Sequence, residues 1–447
     1  MTAAPIEIAS DLQHRVCDSV DEHVDDVLGL LTTLIGHRTP SQDPDDPTFV
    51  REILRCHAFL EHTLDDWGLS QQTWFAKPMT FAEHPVRVAT WQGTGGGRSI
   101  ALNGHVDVVP TGDTSQWQHD PWAGAVKDGK VWGRGACDMK GGVAAMLMAV
   151  RTLQLCGVRL KGDVHLHIVS DEEVVGFGTR ECVEKAPTPD FVLSTEPTGL
   201  NIQPVAGGLE HLRIEFEGVE EHAGRRFASI YPQQQQQGHG VSAIDKAIKI
   251  VNALAELEKQ WSLSKRHPLL PPGFSTLLPG VIMGGPGGGK EGRLNLISNP
   301  GTTPNYCSVE YNVWFYPGEN TEQVRKQIED YVNDIARHDP WLRDHPPKFT
   351  WALRNISFPA VDTDPDHPLV RQLELINQDL GRPSQVTGFT AAADLAWYSQ
   401  QGIPGVIYGP GDIAQAHSPD EFVPVEDMVT ATKAIALMMI AWCGLEG

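Results

Sequence analysis

Imidazoles and carboxylates recur where the apolar runs of this chain stop. RSIALNGHVDVV (98–109) runs into His105 and Asp107, and a Gly/Trp/Asp-rich loop then leads to Asp138, just before a helix rich in small residues. GDVHLHIVSDEE (162–173) stops at Asp171, Glu172 and Glu173, DFVLSTEPTG (190–199) stops at Glu196, and His417 lies just beyond GVIYGPG. Ligands of open α/β sheets gather outside the carboxyl ends of the strands, so these endings point at one place. Two imidazoles with several carboxylates form a hard-to-borderline N/O donor set suited to Zn2+, Co2+ or Mn2+. That is more donors than one open catalytic ion needs; it suits two ions about 3.5–4 Å apart that share a carboxylate. Taken singly, a histidine at a strand end is more often a hydrogen-bonded structural residue, and an acidic triplet more often a solvated loop. The conjunction shifts that balance. HVD adds a reason of its own, because Asp107 points the same way as His105 in a strand and can hold its other ring nitrogen.

Those strands alternate with helices. The spacing of apolar residues predicts helices over 20–36 and 50–68, and MKGGVAAMLMAVRTLQLCG (139–157) suits close packing on a sheet. GTGGG (93–97) is read as a turn, because a strand follows it and not the helix N-terminus a phosphate would need. Near Gly207 the texture changes. HLRIEFEGVEEHA (211–223) alternates with period two, helical patterns follow at 241–261 and 321–338, and the strands TLLPGVIMG and YCSVEYNVWFY flank GPGGGKEG. KFTWALRNIS (348–357) closes a strand–helix–strand–strand–helix–strand unit, after which the first texture returns. The expected fold class is α/β: a mostly parallel mixed sheet with helices on both faces, built from 1–208 and 360–447 as a discontinuous catalytic domain. An α+β two-layer lid at 209–359 is inserted in it. YPQQQQQGHG (231–240) is low in complexity and is assigned no chemistry.

Bulk properties narrow the partners. At 447 residues the chain has room for two domains. Its 35 basic against 57 acidic residues give a formal charge of −22, which argues against nucleic acid and anionic membrane surfaces as partners. Seven cysteines without CxxC spacing suggest free thiols in a reducing compartment, and no secretory leader or membrane span is visible, so a cytoplasmic setting is expected.

LNGHVDVVP, WGRGACDMKGG, SDEEVVGFG, STEPT, EEHAGR and GPGDIAQAHSPDEFV follow one another over nearly the whole chain. Together they resemble the dinuclear metallo-amidohydrolase/exopeptidase family that includes acetylornithine deacetylase, succinyl-diaminopimelate desuccinylase, aminoacylase and glutamate carboxypeptidase. The resemblance implies two divalent ions, ordinarily Zn2+, bridged by Asp138, with His105 and Glu196 completing one position and Glu173 and His417 the other. It implies a cis peptide at Asp138–Met139, Glu172 as general base, and a homodimer formed through the lid. His222, in GVEEHAGR, would then supply an oxyanion donor across the dimer interface. The sequence departs from its relatives in EYNVWFYPGE, where Trp314 stands in place of an arginine that grips a substrate carboxylate. Asn299 matches the family's lid asparagine loosely, and Arg225 and Arg226 are candidates for restoring an anion contact. The expected activity is hydrolysis of the amide bond of a small N-acyl amine or N-acyl amino acid, one with an aromatic or heteroaromatic part. Its rivals are a metallo-carboxypeptidase or dipeptidase, a hydrolase of an aryl amine, and a catalytically silent binding protein on the same scaffold.

Overall fold

A computed structural model describes residues 8–41, 47–76, 83–227, 239–295 and 299–446. Most of the glutamine-rich stretch, 231–238, therefore lies outside the described residues. The chain divides into two units, Met1–Ala206 with Val361–Gly447, and Gly207–Ala360.

The first unit is built on a mixed sheet whose middle is parallel. Ile100–His105 lies between Val164–Val169 and Val192–Ser194 and runs parallel to both, and Gly405–Ile407 extends this parallel group beyond Val192–Ser194. Ser70–Ala76 and His84–Trp91 add antiparallel strands at one margin, and Ile202–Ala206 with its neighbours completes the other. Period-two alternation divides the side chains between the faces. Leu102, Val164, Leu166 and Ile168 enter a large apolar core with helices Val24–Gly36, Pro47–Asp66, Lys140–Leu155 and Val425–Cys443. Val86, Val88 and Val169 face the other way, against Cys182 of helix Phe177–Lys185. Helices thus cover both faces. The parallel register sets His105 beside Val169 and Asn103 beside Ser194, so the chain segments that follow these strands leave the sheet along one edge.

Three local features differ from the pattern read in the sequence. The helix expected over 20–36 is two helices, Ser10–Glu22 and Val24–Gly36, broken at His23, and the first lies mostly upstream of the periodic run. The loop before Asp138 contains a short three-stranded sheet of Ala125–Lys127, Lys130–Trp132 and Phe422–Pro424, which ties it to the segment after His417. Helix Lys140–Leu155 packs so closely on the strand end that a β-carbon on Gly142 would sit 1.9 Å from the Thr195 carbonyl oxygen. Its small residues therefore bring the segments after Ser194 and Asp138 together.

In the second unit, strands Leu277–Gly285, Tyr306–Phe315, Gly208–Glu217 and Lys348–Trp351 form an antiparallel sheet in that order. Leu212, Ile214, Val309 and Val313 bury one face under helices Ala243–Ser264 and Thr321–Arg337, giving two layers. The closing strand is shorter than 348–357. Ala352, Arg354 and Asn355 take left-handed φ values of 52°, 56° and 63°, which turn the chain before Ser357–Phe358 pairs again with Gly208–Glu217.

Candidate metal centre

Asp138 is the hinge of the site. Its Oδ1 lies 3.2 Å from His105 Nε2 and its Oδ2 3.2 Å from His417 Nε2, so each carboxylate oxygen faces one imidazole. Glu196 and Glu172 each approach His105 Nε2 to 3.8 Å, while Glu173 lies 3.1 Å from His417 Nε2. His105, Asp138 and Glu173 can also offer one ligand atom each within 4.8 Å of one another. The Asp138–Met139 peptide is cis, the geometry that the family resemblance implies.

Each side chain arrives by a local cause. His105 is the last residue of its strand, and its Nδ1 donates to the Asp107 carbonyl oxygen at 2.9 Å. That bond keeps a ring proton on Nδ1, so Nε2, which donates to Asp138 here, is the nitrogen free to give up its proton to a metal ion. The Asp107 carboxylate stands beside the same ring nitrogen, 3.5 Å from Nδ1, although the strand itself stops at His105. Its oxygens also accept the backbone N–H groups of Glu172 (3.3 Å) and Glu173 (3.2 Å), which holds the acidic turn in place. Asp171 points away from the imidazoles and accepts from the N–H groups of Phe177 and Gly178 at the start of the next helix. The triplet is thus divided in labour: Asp171 caps, while Glu172 and Glu173 face the centre.

The electrostatics test whether cations fit. Among the described residues, the ion pairs of Asp138, Glu172, Glu173 and Glu196 run only to His105 and His417. Burial pushes the carboxyls of Glu172, Glu173 and Glu196 above the usual range, and neighbouring carboxylates add to the rise. Burial would raise Asp138 too, but the imidazoles on its two oxygens outweigh it and hold this carboxyl low. Four clustered carboxyls against two imidazoles are an unbalanced set that one or two dications would neutralise. The donor set therefore fits divalent metal.

Sequence reasoning missed three buried groups around this set. Asp394 accepts from Thr179 Oγ1 at 2.6 Å, Thr179 accepts in turn from Asn103 Nδ2 on the His105 strand, and burial pushes the Asp394 carboxyl up to about 6. Arg134 and Glu421 form an ion pair in which both side chains are almost fully buried. Both lie inside motifs already singled out, WGRG and HSPDE, and a charged pair flanking two ligand positions was the signal available.

The remaining predicted residues lie in the second unit. Ala223 N–H bonds to the Gly301 carbonyl, and Asn299 Oδ1 accepts from Gly301 N–H, so His222, Asn299 and Arg225 share one neighbourhood. His222 is exposed, and its Nδ1 accepts from Gly224 N–H at 3.1 Å. Arg225 pairs with Glu221 and Arg226 with Asp245, so the charge of each is already offset. Trp314 stands apart on its strand, edge-on to Phe274 with ring centroids 5.7 Å apart.

Known proteins resemble this chain over most of its length. A sequence profile of Peptidase family M20/M25/M40 matches residues 101–441. The N-formyl-4-amino-5-aminomethyl-2-methylpyrimidine deformylase of Bacillus subtilis (strain 168) is 35% identical over 434 residues, 95% of this chain and 96% of that protein. Its counterpart from Halalkalibacterium halodurans is 30% identical, with 96% of each chain covered. Among solved structures, the dipeptidase Dug1p from Saccharomyces cerevisiae superposes with a TM-score of 0.70 at 13% identity, over 96% of this chain and 98% of that one, a likeness of fold.

Proposed function

The chain belongs to Peptidase family M20/M25/M40, and from that membership we propose that it removes a formyl or similarly small acyl group from the amine of a heteroaromatic compound. Metal-dependent hydrolysis of a small amide is the reaction; the acyl group and the amine are the proposal. The observation that carries the reaction is the pair of imidazoles on opposite oxygens of Asp138, with Glu172 beside them. Divalent ions at such a centre, Zn2+ in the first instance and Co2+ or Mn2+ in its place, acidify a water and polarise the amide carbonyl.

The protein's own groups do the rest. His105, Asp138 and Glu196 would hold one ion, and Glu173, Asp138 and His417 would hold the other. Glu172 takes a proton from the attacking water and returns it to the departing amine nitrogen. Burial, with neighbouring carboxylates adding to it, raises its pKa above the usual carboxylate range, which strengthens it as a proton acceptor. His222 donates to the developing oxyanion. Supporting this is its hydrogen bond from Gly224 N–H to Nδ1, which leaves the ring proton on Nε2, the reverse of the His105 tautomer. Trp314 offers a flat surface to an aromatic amine where relatives grip a carboxylate with arginine.

A homodimer through the second unit is part of the same reading. Strand Leu277–Gly285 ends its sheet, and Leu278, Val281, Ile282 and Met283 on it are exposed. An apolar edge of this kind invites pairing with a second copy. Ile282→Lys should then give a monomer by light scattering, with activity reduced because His222 acts in the partner's site. The described cysteines are all free, in keeping with a reducing, cytoplasmic setting.

The test is a panel of N-formyl aminopyrimidine, N-acetylornithine, N-succinyl amines and dipeptides, assayed by release of free amine or amino acid. A kcat/KM at least about 100-fold higher for the formylated pyrimidine than for the others is expected, roughly the 1–3 kcal/mol a complementary pocket supplies. Turnover of dipeptides alone would overturn the proposal. Glu172→Gln should lower kcat by about 10²–10⁴-fold with metal content unchanged.

A further inference from the structure

The buried Arg134–Glu421 pair is not accounted for by stability. A buried ion pair is often no more stable than apolar residues of the same size, so its presence calls for another reason. Glu421 Oε1 accepts the backbone N–H groups of both Cys137 (2.9 Å) and Asp138 (3.1 Å). Its other oxygen takes the Arg134 guanidinium at 2.5 Å. Arg134 also donates to the carbonyl oxygens of Ser418 (3.3 Å) and Pro110 (3.2 Å), and the Glu421 carbonyl accepts from Gly133 N–H at 2.9 Å. Three loops meet at this pair: the one after His105 and Asp107, the one that ends at Asp138, and the one that carries His417. His417 and Asp420 in the last of these have left-handed φ values of 62° and 54°, a conformation that surrounding contacts must maintain.

We propose that Glu421, held by Arg134, is a positioning residue that fixes the Asp138 peptide, and so the direction of each Asp138 carboxylate oxygen relative to His105 and His417. Its side-chain hydrogen bonds run to Arg134 and to the Cys137 and Asp138 backbone, not to either ligand ring. Asp107 does for the Glu172–Glu173 turn what Glu421 does for the Cys137–Asp138 turn: a buried carboxylate takes two successive N–H groups and leaves the side chains that follow only one way to point. This inference rests on the reading of Asp138 as the shared metal ligand.

Three variants of the full chain test it, with zinc affinity measured by chelator competition and the visible spectrum of the cobalt form as readouts. Glu421→Leu/Arg134→Met removes the pair without stranding a charge and should melt near wild type, yet bind metal about 10–100-fold more weakly with a displaced cobalt spectrum. Glu421→Gln/Arg134→Met keeps an acceptor oxygen and should retain affinity within about 10-fold of wild type. A purely structural pair predicts that both double variants bind metal alike, and that result overturns the proposal. Should the leucine variant not fold, Glu421→Asp serves in its place. It keeps the charge for Arg134 but withdraws the acceptor from the two N–H groups, and wild-type affinity there overturns the proposal. Asp138→Asn is the control for the underlying reading. If it keeps both ions, the shared-ligand assignment fails, whatever the Glu421 variants do.

Discussion

His105 and His417 face opposite oxygens of one carboxylate, yet the chain delivers them in contrasting ways. His105 is 1% exposed, terminates a strand paired on both sides, and has its tautomer fixed by its own neighbour's carbonyl. His417 is 52% exposed and sits in a left-handed conformation on a loop, where hydrogen bonds to Asp138 and Glu173 raise its pKa to about 10. One half of the centre is thus part of the sheet edge, while the other is a loop braced onto it. The difference implies an order of events: the sheet-borne position forms with the fold, and the loop-borne position depends on contacts made around it. Local opening draws on segments with few buried contacts, so exchange of metal and solvent should begin at the His417 half.

The largest effect should come from the one residue both halves share. Asp138→Asn removes the charge that two ions would divide and leaves His105 and His417 without their common partner. Several kcal/mol of transition-state charge stabilisation would be lost, so turnover should fall by about 10³–10⁴-fold, and metal analysis should find fewer than two ions per chain. Retention of two tightly held ions in that variant would mean the halves are not joined through Asp138, and the comparison would lose its basis.

A smaller effect should separate the halves. With a zinc-loaded chain, a chelator should withdraw metal in two phases, the faster from the His417 position. His417→Ala should abolish the fast phase and leave the slow one, with little change in melting temperature, because the residue is half exposed. His105→Ala should weaken the slow phase and also destabilise the fold by about 1–3 kcal/mol, since it strips buried Asp138 Oδ1 of its imidazole and removes the ring beside buried Asp107. Release in a single phase, or equal destabilisation by both substitutions, would erase the distinction.

How much of this was legible in the sequence follows the same division. Strand-end residues could be read because periodicity locates a buried strand and the parallel arrangement sets its neighbours' ends along one edge; His105, Glu172, Glu173 and Glu196 came from that rule. His417 could be placed beyond a strand but not oriented, since nothing in AQAHSPDEF announces a left-handed histidine. Arg134 and Glu421 could be seen as charges beside ligand positions but not given a role, for a related reason. Their meaning lies in backbone groups of Cys137, Asp138, Ser418 and Pro110, and backbone acceptors and donors are the same in every sequence. The second unit's order of strands and helices was legible from its alternation, whereas the break at 352–355 was not, because Ala352 and Arg354 are poor markers of positive φ.

The smallest effect concerns what stands behind the sheet-borne half. His57, on helix Pro47–Asp66, shares a 2.6 Å hydrogen bond between its Nε2 and Ser170 Oγ, directly before the acidic turn, and Ser170 bonds on to the Pro85 carbonyl. Burial lowers the His57 pKa from 6.5 to about 3, and His167, which shares a 2.6 Å hydrogen bond with the Tyr398 hydroxyl, is lowered to about 3 by the same cause. The unfolded chain takes up a proton at each of these positions below about pH 6.5, while the folded chain does so only near 3. Their contribution to stability is therefore present above about 6.5 and is lost as pH falls toward 3. In metal-free protein, where loss of ligand protons to metal plays no part, these two histidines should pull the melting temperature down over that window. His57→Gln keeps a group that can bond Ser170 but cannot titrate, so its decline should be shallower by a few degrees. If the two proteins lose stability with the same slope, His57 is not the group that makes the sheet-borne half acid-sensitive, and the support behind the Asp171–Glu173 turn must be sought elsewhere on that face of the sheet.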